Sequence, residues 1–547
     1  MKPHHEKHRS GIYRKNIVIA VALALMAFWI HHLRMDVSLL NPREDKWLWQ
    51  TDWAVEYLGW LYFRFQNWAW PLGYLPKYIY PFGASIGTTD SVPLAAYIFK
   101  MLSPILGEPF QYFSWWYLLS IFLSGYCSYK ILKSETRSRN YSFIASLFFM
   151  IAPPLMGRNH HMALSAQWIL LLGVGFYLKF AKRQINLQIE GFWILSFILA
   201  SSLHPYLWAM YLAIGLASVV EVKTYRIAFS YFLGLALSLM TLWVHGYFRI
   251  GDTTNSGFGY YSADLLSFFH PHDLPVILPN LAHGEGQYEG YSFLGLGSIL
   301  LLLYVLLRKL FKKEKFLNRS YYPLFIFVFL MWIYALATPV TFAGKAIFNL
   351  DFIYKHLGVV ANTFRSSGRF VWPFYYCLMF WAFIEFFKSH KRQVSQLALF
   401  VLLLLQFVDV WRIVNYPRSP DIVYNEVALN KLKEFSKNKK IENLVVVYSD
   451  EKELCPTQSF HWEHWYYYPL MAMAAKNDWT VNIGSASRFP WSKYMENCTQ
   501  AMSALRSGQR ENKTLYVFKP EAYFLYSKTT QGLDCDEIEN AHFCYYN

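Results

Sequence analysis

Long apolar runs recur along the chain, separated by short linkers that collect its Lys and Arg residues. A helix rises about 1.5 Å per residue, so about 20 apolar residues cross a hydrocarbon core roughly 30 Å thick. Runs that approach this length lie at 16–33, 111–132, 141–157, 164–180, 190–203, 205–220, 227–246, 292–309, 321–338, 370–388 and 394–411. The pattern predicts an α-helical polytopic membrane protein with about eleven transmembrane helices. Two regions break it. Residues 35–108 are aromatic-rich and interrupted by Pro and Gly, and residues 416–547 are charged and mixed, with strand-like runs such as Glu442–Tyr448 and Leu515–Phe518. The expected organisation is a short N-terminal segment 1–15, a membrane domain 16–415 that includes a first loop 35–108, and a C-terminal α/β soluble domain 416–547.

Composition agrees. Of 547 residues, 55% are hydrophobic and 20% aromatic, more apolar surface than a soluble fold needs. A net charge of +15 would suggest nucleic acid as the partner of a soluble protein. Here the cations mark topology instead, and no nucleic-acid partner is expected. Lys130 to Arg139, Lys179 to Arg183, Lys223 with Arg226, Arg308 to Arg319, and Lys388 to Arg392 occupy every second linker, the pattern of cytoplasmic loops. The first run follows basic residues but lacks a small-residue cleavage site, so it reads as an uncleaved anchor with the N-terminus inside. An odd number of spans then puts the first loop and the C-terminal domain outside. Cys455, Cys498, Cys535 and Cys544 lie in that domain and predict two disulfides, as an oxidising compartment favours. A zinc site is the alternative, but no Cys-x-x-Cys pair supports it.

Candidate chemistry gathers in the loops of exterior parity. Asp52 opens an aromatic stretch in which Tyr57, Trp60 and Arg64 recur at helical spacing. A partly desolvated carboxylate there suits the deprotonation of a hydroxyl; its bland alternative is a solvated loop acid. Asp90, in Gly87–Pro93, is a second candidate base or simply a helix cap. Arg158 to His161, His204 before Pro205, and Glu289 before Gly290 are candidate substrate contacts, each with an anchoring, turn or capping role as its alternative. Arg365 and Arg369, with Ser366, Ser367 and Gly368, offer the donors that a phosphate requires; snorkelling cations are the alternative.

The arrangement resembles the GT-C superfamily of membrane glycosyltransferases: an N-in anchor, a long first exterior loop with an acidic residue, many further spans and a soluble tail. Asp52 with Leu58-Gly59-Trp60, Trp70-Pro71-Leu72-Gly73, Thr89-Asp90-Ser91-Val92-Pro93 and Ser367-Gly368-Arg369-Phe370-Val371-Trp372-Pro373 look like an uncharacterised bacterial family within it. The resemblance implies a bacterial inner membrane, a sugar donor on polyprenyl phosphate, a glycan or lipid acceptor, and inversion at the anomeric carbon. Asp52 would be the base, with Asp90 in reserve, and Arg64, His161, His204, Glu289, Arg365 and Arg369 would bind substrate. No metal ligands are assigned. No Asp-x-Asp occurs in the first loop, which leaves a divalent-metal cofactor open. A lipid-linked-sugar flippase is the competing reading, but it calls for charge deep within spans, and the charges here sit at their ends. A non-catalytic envelope assembly protein is the third.

Overall fold

The computed structural model describes residues 2–248, 257–274, 276–416, 426–447, 467–538 and 541–547. Every expected span falls on a helix: Lys2–Met35, Phe113–Thr136, Arg139–Met150, Trp168–Ala181, Leu187–Leu203, Pro205–Val222, Tyr225–Val244, Leu296–Phe311, Tyr322–Leu336, Trp372–Ser389 and Arg392–Asp409. With their adjoining turns, seven helices among the described residues are long and apolar enough to cross a membrane. Three of the remaining four have only 12, 17 and 16 residues. The chain is a multi-pass membrane protein.

Contacts divide the chain into two compact units. One comprises Met1–Asn41, Tyr112–Ser238 and Thr254–Arg418; the other comprises Pro42–Gln111, Leu239–Thr253 and Ser419–Asn547. The first loop, assigned by chain continuity to the membrane domain, thus groups with the C-terminal region.

In the first unit, spans pair buried polar side chains either within their own helix or with a neighbouring span. The Ser124 and Ser128 hydroxyls donate to the carbonyls four residues back (2.8 and 2.7 Å), as a hydroxyl in an apolar helix must when water is absent. The Asp409 carboxylate accepts from the Leu296 N–H (2.8 Å), so one span caps the start of another whose own preceding residue is Gly295. The basic linkers meet one another. Lys182 pairs with Glu135 (2.5 Å), Arg226 with Glu190 (2.6 Å) and Lys309 with Glu385 (2.6 Å), while Arg183 donates to the Val222 carbonyl (3.1 Å). The alternation read from the sequence is therefore a physical gathering of these linkers at one end of the unit.

Nine strands are described: β1 (Tyr74–Leu75), β2 (Ala84–Ser85), β3 (Val340–Phe342), β4 (Lys345–Phe348), β5 (Asn443–Val447), β6 (Thr480–Val481), β7 (Thr514–Phe518), β8 (Asp534–Ile538) and β9 (Ala541–Tyr546). In the second unit the sheet order is β6-β5-β7-β9-β8, with β6, β5 and β7 parallel and β9 and β8 antiparallel. The expected strand runs become β5 and β7; Tyr448 lies outside the described residues. Residues 77–80 of the first loop extend this sheet beside β6. The Tyr80 N–H donates to the Val481 carbonyl (2.7 Å) and the Val481 N–H to the Lys77 carbonyl (2.9 Å). Cys535 and Cys544 face each other across β8 and β9 and form a disulfide. Cys498 is also disulfide-bonded, and Cys455 lies outside the described residues.

Candidate functional site

The loops of the other parity bring together ionisable residues far apart in sequence, and the first unit contains most of them. A 3-10 turn, Glu285–Gly290, carries Glu289; a second, Ser367–Val371, carries Arg369 at the entry to the span that follows. The two turns touch backbone to backbone. A Cβ on Gly368 would lie 2.6 Å from the Gly290 nitrogen, so glycine is required there for the side chains to meet. Glu289 then accepts from Arg369 through Oε2 (Nε, 2.9 Å) and Oε1 (Nη2, 2.5 Å), and Arg158 Nη1 reaches the same Oε2 at 2.8 Å. All three side chains are 9% exposed. Burial pushes the Glu289 carboxyl up, but the Arg369 and Arg158 guanidiniums outweigh it and hold the group well below its usual range. Arg158 also lies over Trp372, and Arg369 over Tyr206 at 4.7 Å.

His204 caps the helix Pro205–Val222, its Nδ1 accepting the Tyr206 N–H (3.2 Å), and its ring packs edge-on against His161 (5.4 Å between centroids). The histidine before the proline thus has a structural task. The Tyr206 hydroxyl accepts the Ser366 N–H (3.0 Å), tying this cap to the segment that carries Arg365. Arg365 itself is half-buried, its guanidinium 5.9 Å from the Tyr261 ring.

Two features of this unit escape sequence reasoning. Arg34, in the last turn of the anchor helix, is buried, and donates to the Asn159 side chain and the Ile413 carbonyl, each at 2.7 Å. Its signal was a cation ending an apolar run. Three histidines also cluster, with ring centroids of His270, His272 and His283 spaced 4.5 to 4.7 Å apart. Burial, then His270 and His283, lowers the His272 pKa to about 3, and burial with Arg34 lowers that of His160 to about 4. Both stay neutral in the folded chain while an unfolded histidine, with a pKa near 6.5, takes up a proton. Stability therefore falls as pH drops from about 6.5 toward 4. The detergent-solubilised protein should melt at a lower temperature at pH 5 than at pH 7, and His272→Asn should remove about 2 kcal/mol of that difference.

The second unit holds the candidate bases. Asp52 sits in the first turn of the helix Thr51–Phe65 and is exposed, so the partial desolvation expected of it is not present. Its carboxylate lies near Tyr468, whose hydroxyl burial pushes up to about 12. Asp45, which accepts the Tyr57 hydroxyl (3.0 Å), is a first-loop carboxyl that burial raises. Asp90 does not cap the helix Pro93–Met101: Val92 is the N-cap, without a side-chain hydrogen bond. Both Asp90 and Val92 have positive φ (55° and 51°), costly for a β-branched residue and sustained here by packing on both sides. Ser91 Oγ donates to the Glu56 carbonyl (2.6 Å), and the Ser487 N–H donates to the Thr88 carbonyl (2.7 Å). Arg64 spends its donors on the loop itself, bonding Ser103 Oγ and the Leu106 and Gly107 carbonyls, each at 3.1 Å.

Residues 21–411 match a family model described as "Domain of unknown function (DUF6311)", and residues 440–546 match the "DUF6311 C-terminal domain". No curated protein matches the chain. Among solved structures the chain is similar to the oligosaccharyltransferase of Archaeoglobus fulgidus in its apo form, at 12% identity and a TM-score of 0.43, over 94% of this chain and 71% of that one. It is also similar to the archaeal oligosaccharyltransferase AglB from Archaeoglobus fulgidus in complex with an inhibitory peptide and a dolichol-phosphate, at 14% identity and a TM-score of 0.43, over 91% of this chain and 69% of that one.

Proposed function

The chain belongs to the DUF6311 family, and from that premise we propose that it is a membrane glycosyltransferase that moves a sugar from a polyprenyl phosphate to a cell-envelope glycan or lipid acceptor. Transfer takes place at the exterior face of a bacterial inner membrane, with the N-terminus cytoplasmic and the C-terminal region periplasmic. One observation carries the reading. Arg158, His161, His204, Glu289 and Arg369, from four separate loops of one parity, converge in a single network that sets two guanidiniums against one carboxylate. Such an excess of donors suits a phosphate at the level where lipid headgroups lie.

Each role is assigned within its own unit. In the first, Arg365, with Arg369 behind it, receives the lipid phosphate, and His161 and His204 border the sugar. In the second, Asp52 takes the acceptor's proton, with Asp90 as the alternative base. The acceptor oxygen bonds to the anomeric carbon as the bond from that carbon to the phosphate oxygen breaks, inverting the centre. The proton passes to the carboxylate, and the departing charge stays on the polyprenyl phosphate, stabilised by the arginines. Glu289 and Arg64 act by position, one aligning Arg369 and the other folding the first loop.

The test is transfer of radiolabelled sugar from a panel of polyprenyl-phosphate sugars in membranes with matched expression. Asp52→Asn should lower transfer by about 10²-fold or more. Loss in Asp90→Asn alone moves the role of base to Asp90. Full transfer by both variants removes the first loop from the chemistry, and no transfer by the wild type removes the proposed reaction. A chelator added to the wild-type reaction decides metal dependence.

A further inference from the structure

The loop between the spans Tyr322–Leu336 and Trp372–Ser389 does not cross a membrane, yet it exposes more apolar surface than a loop in water keeps. It consists of the hairpin β3–β4 and two short helices, Asp351–Tyr354 and Gly358–Thr363. Phe348, Phe352 and Val359 are 57%, 59% and 83% exposed, and Phe342, Ile347 and Val360 are exposed beside them.

The depth of this surface is fixed by hydrogen bonds to the end of a span. The Tyr354 hydroxyl donates to the Ile333 and Tyr334 carbonyls (3.2 and 3.4 Å) in the last turn of Tyr322–Leu336. From that same turn, the Tyr334 hydroxyl donates to the Val360 and Phe364 carbonyls (3.3 Å each), and its ring lies 6.0 Å from that of Tyr354. Both short helices are thus pinned at the level where the span leaves the hydrocarbon. The span's own exposed side chains, Tyr322, Ile326, Phe329 and Leu330, are those that must face lipid. The loop's exposed apolar side chains thus stand at the end of a helix whose own exposed side chains are apolar. Charge fits the same neighbour. Lys345 and Lys355 are exposed on the loop against one acid, Asp351, whose carboxylate already accepts the Thr338 hydroxyl (2.7 Å).

We propose that residues 340–363 form an interfacial platform, its apolar side chains seated in the lipid boundary and its lysines among anionic headgroups. The occupant is the bilayer, not a second protein. This goes beyond the transfer reaction and holds whether or not that reaction is correct. The platform has a consequence for the neighbouring segment, since Arg365 follows it directly and is thereby kept near headgroup depth.

The test uses full-length Val359→Cys and Phe348→Cys proteins labelled with an environment-sensitive NBD fluorophore and reconstituted into vesicles of neutral and anionic phospholipid. Labelled Lys437→Cys, at an exposed position of the other unit, is the reference for water, and the unsubstituted chain sets the labelling background. Both platform probes should emit to the blue of the reference, lose most of their emission to lipids that carry a shallow nitroxide, and be shielded from an aqueous quencher. Aqueous quenching equal to that of the reference would overturn the proposal. So would self-quenching that rises with the protein-to-lipid ratio without quenching by the nitroxide lipid, because a second copy would then cover the surface.

Discussion

Glu289→Gln is expected to destabilise the first unit by about 3–5 kcal/mol, because it leaves two buried guanidiniums without their counter-charge. Arg158 and Arg369 share one carboxylate, both reaching its Oε2, and are each 9% exposed, so water cannot replace what the substitution removes. A glutamine retains one acceptor oxygen but no charge. Removing a positive partner as well should return part of the loss, so Glu289→Gln with Arg369→Met should be less destabilised than the sum of its single changes. Thermal unfolding of the purified protein in detergent reads both. Wild-type stability in Glu289→Gln would mean that the guanidiniums find other partners. The carboxylate also makes a negative prediction about pH. A carboxyl held below its ordinary value contributes stability that is present above that value and lost only as pH falls through the lower folded value. Any loss of stability between pH 7 and 5 must therefore arise elsewhere, with buried histidines such as His272, His160 and His245, whose pKa values burial lowers, among the groups that supply it.

The membrane half of the molecule was legible because lipid imposes a simple rule. A spanning segment must be long, apolar and internally hydrogen-bonded, so each of the eleven runs marks a helix. Linker charge was equally readable, and the contacts Glu135–Lys182 and Lys309–Glu385 show the basic linkers meeting. What could not be read depends on contacts distant in sequence. Glu289 was a candidate substrate contact or cap because nothing in its own loop announces two arginines, 131 and 80 residues away, as partners. Asp90 was a cap by local pattern, but the turn places Val92 at the helix start instead. Asp52 was expected to be partly desolvated by its aromatic neighbours, yet those rings face inward along the helix and leave the first-turn carboxylate exposed. The grouping of the first loop with the C-terminal region was beyond reach for the same reason: a short extended segment such as 77–80 has no signature that names its partner 400 residues on.

That grouping leads to the second large effect. Tyr78→Ala is expected to cost about 3–5 kcal/mol and to loosen the first loop and the C-terminal sheet together. Tyr78 is 0% exposed, its ring 4.9 Å from that of Tyr62. Its hydroxyl accepts the Ser485 N–H (3.0 Å) and donates to the Ser485 carbonyl (3.3 Å). Truncation removes the ring, both hydrogen bonds and the packing beside β6, whereas Tyr78→Phe removes only the hydrogen bonds and should cost about 1 kcal/mol. Hydrogen exchange followed by peptide mapping distinguishes the two ways the unit could respond. A joint loss of protection across 42–111 and 467–547 in Tyr78→Ala, little changed in Tyr78→Phe, is the expected result. Loss confined to one segment would mean that loop and sheet fold independently. The joint result also bears on chemistry, because the Ser487 N–H holds the Thr88 carbonyl in the turn that presents Asp90. If Asp90 rather than Asp52 takes the proton, Tyr78→Ala should lower transfer more than its effect on stability accounts for, and Tyr78→Phe should restore it.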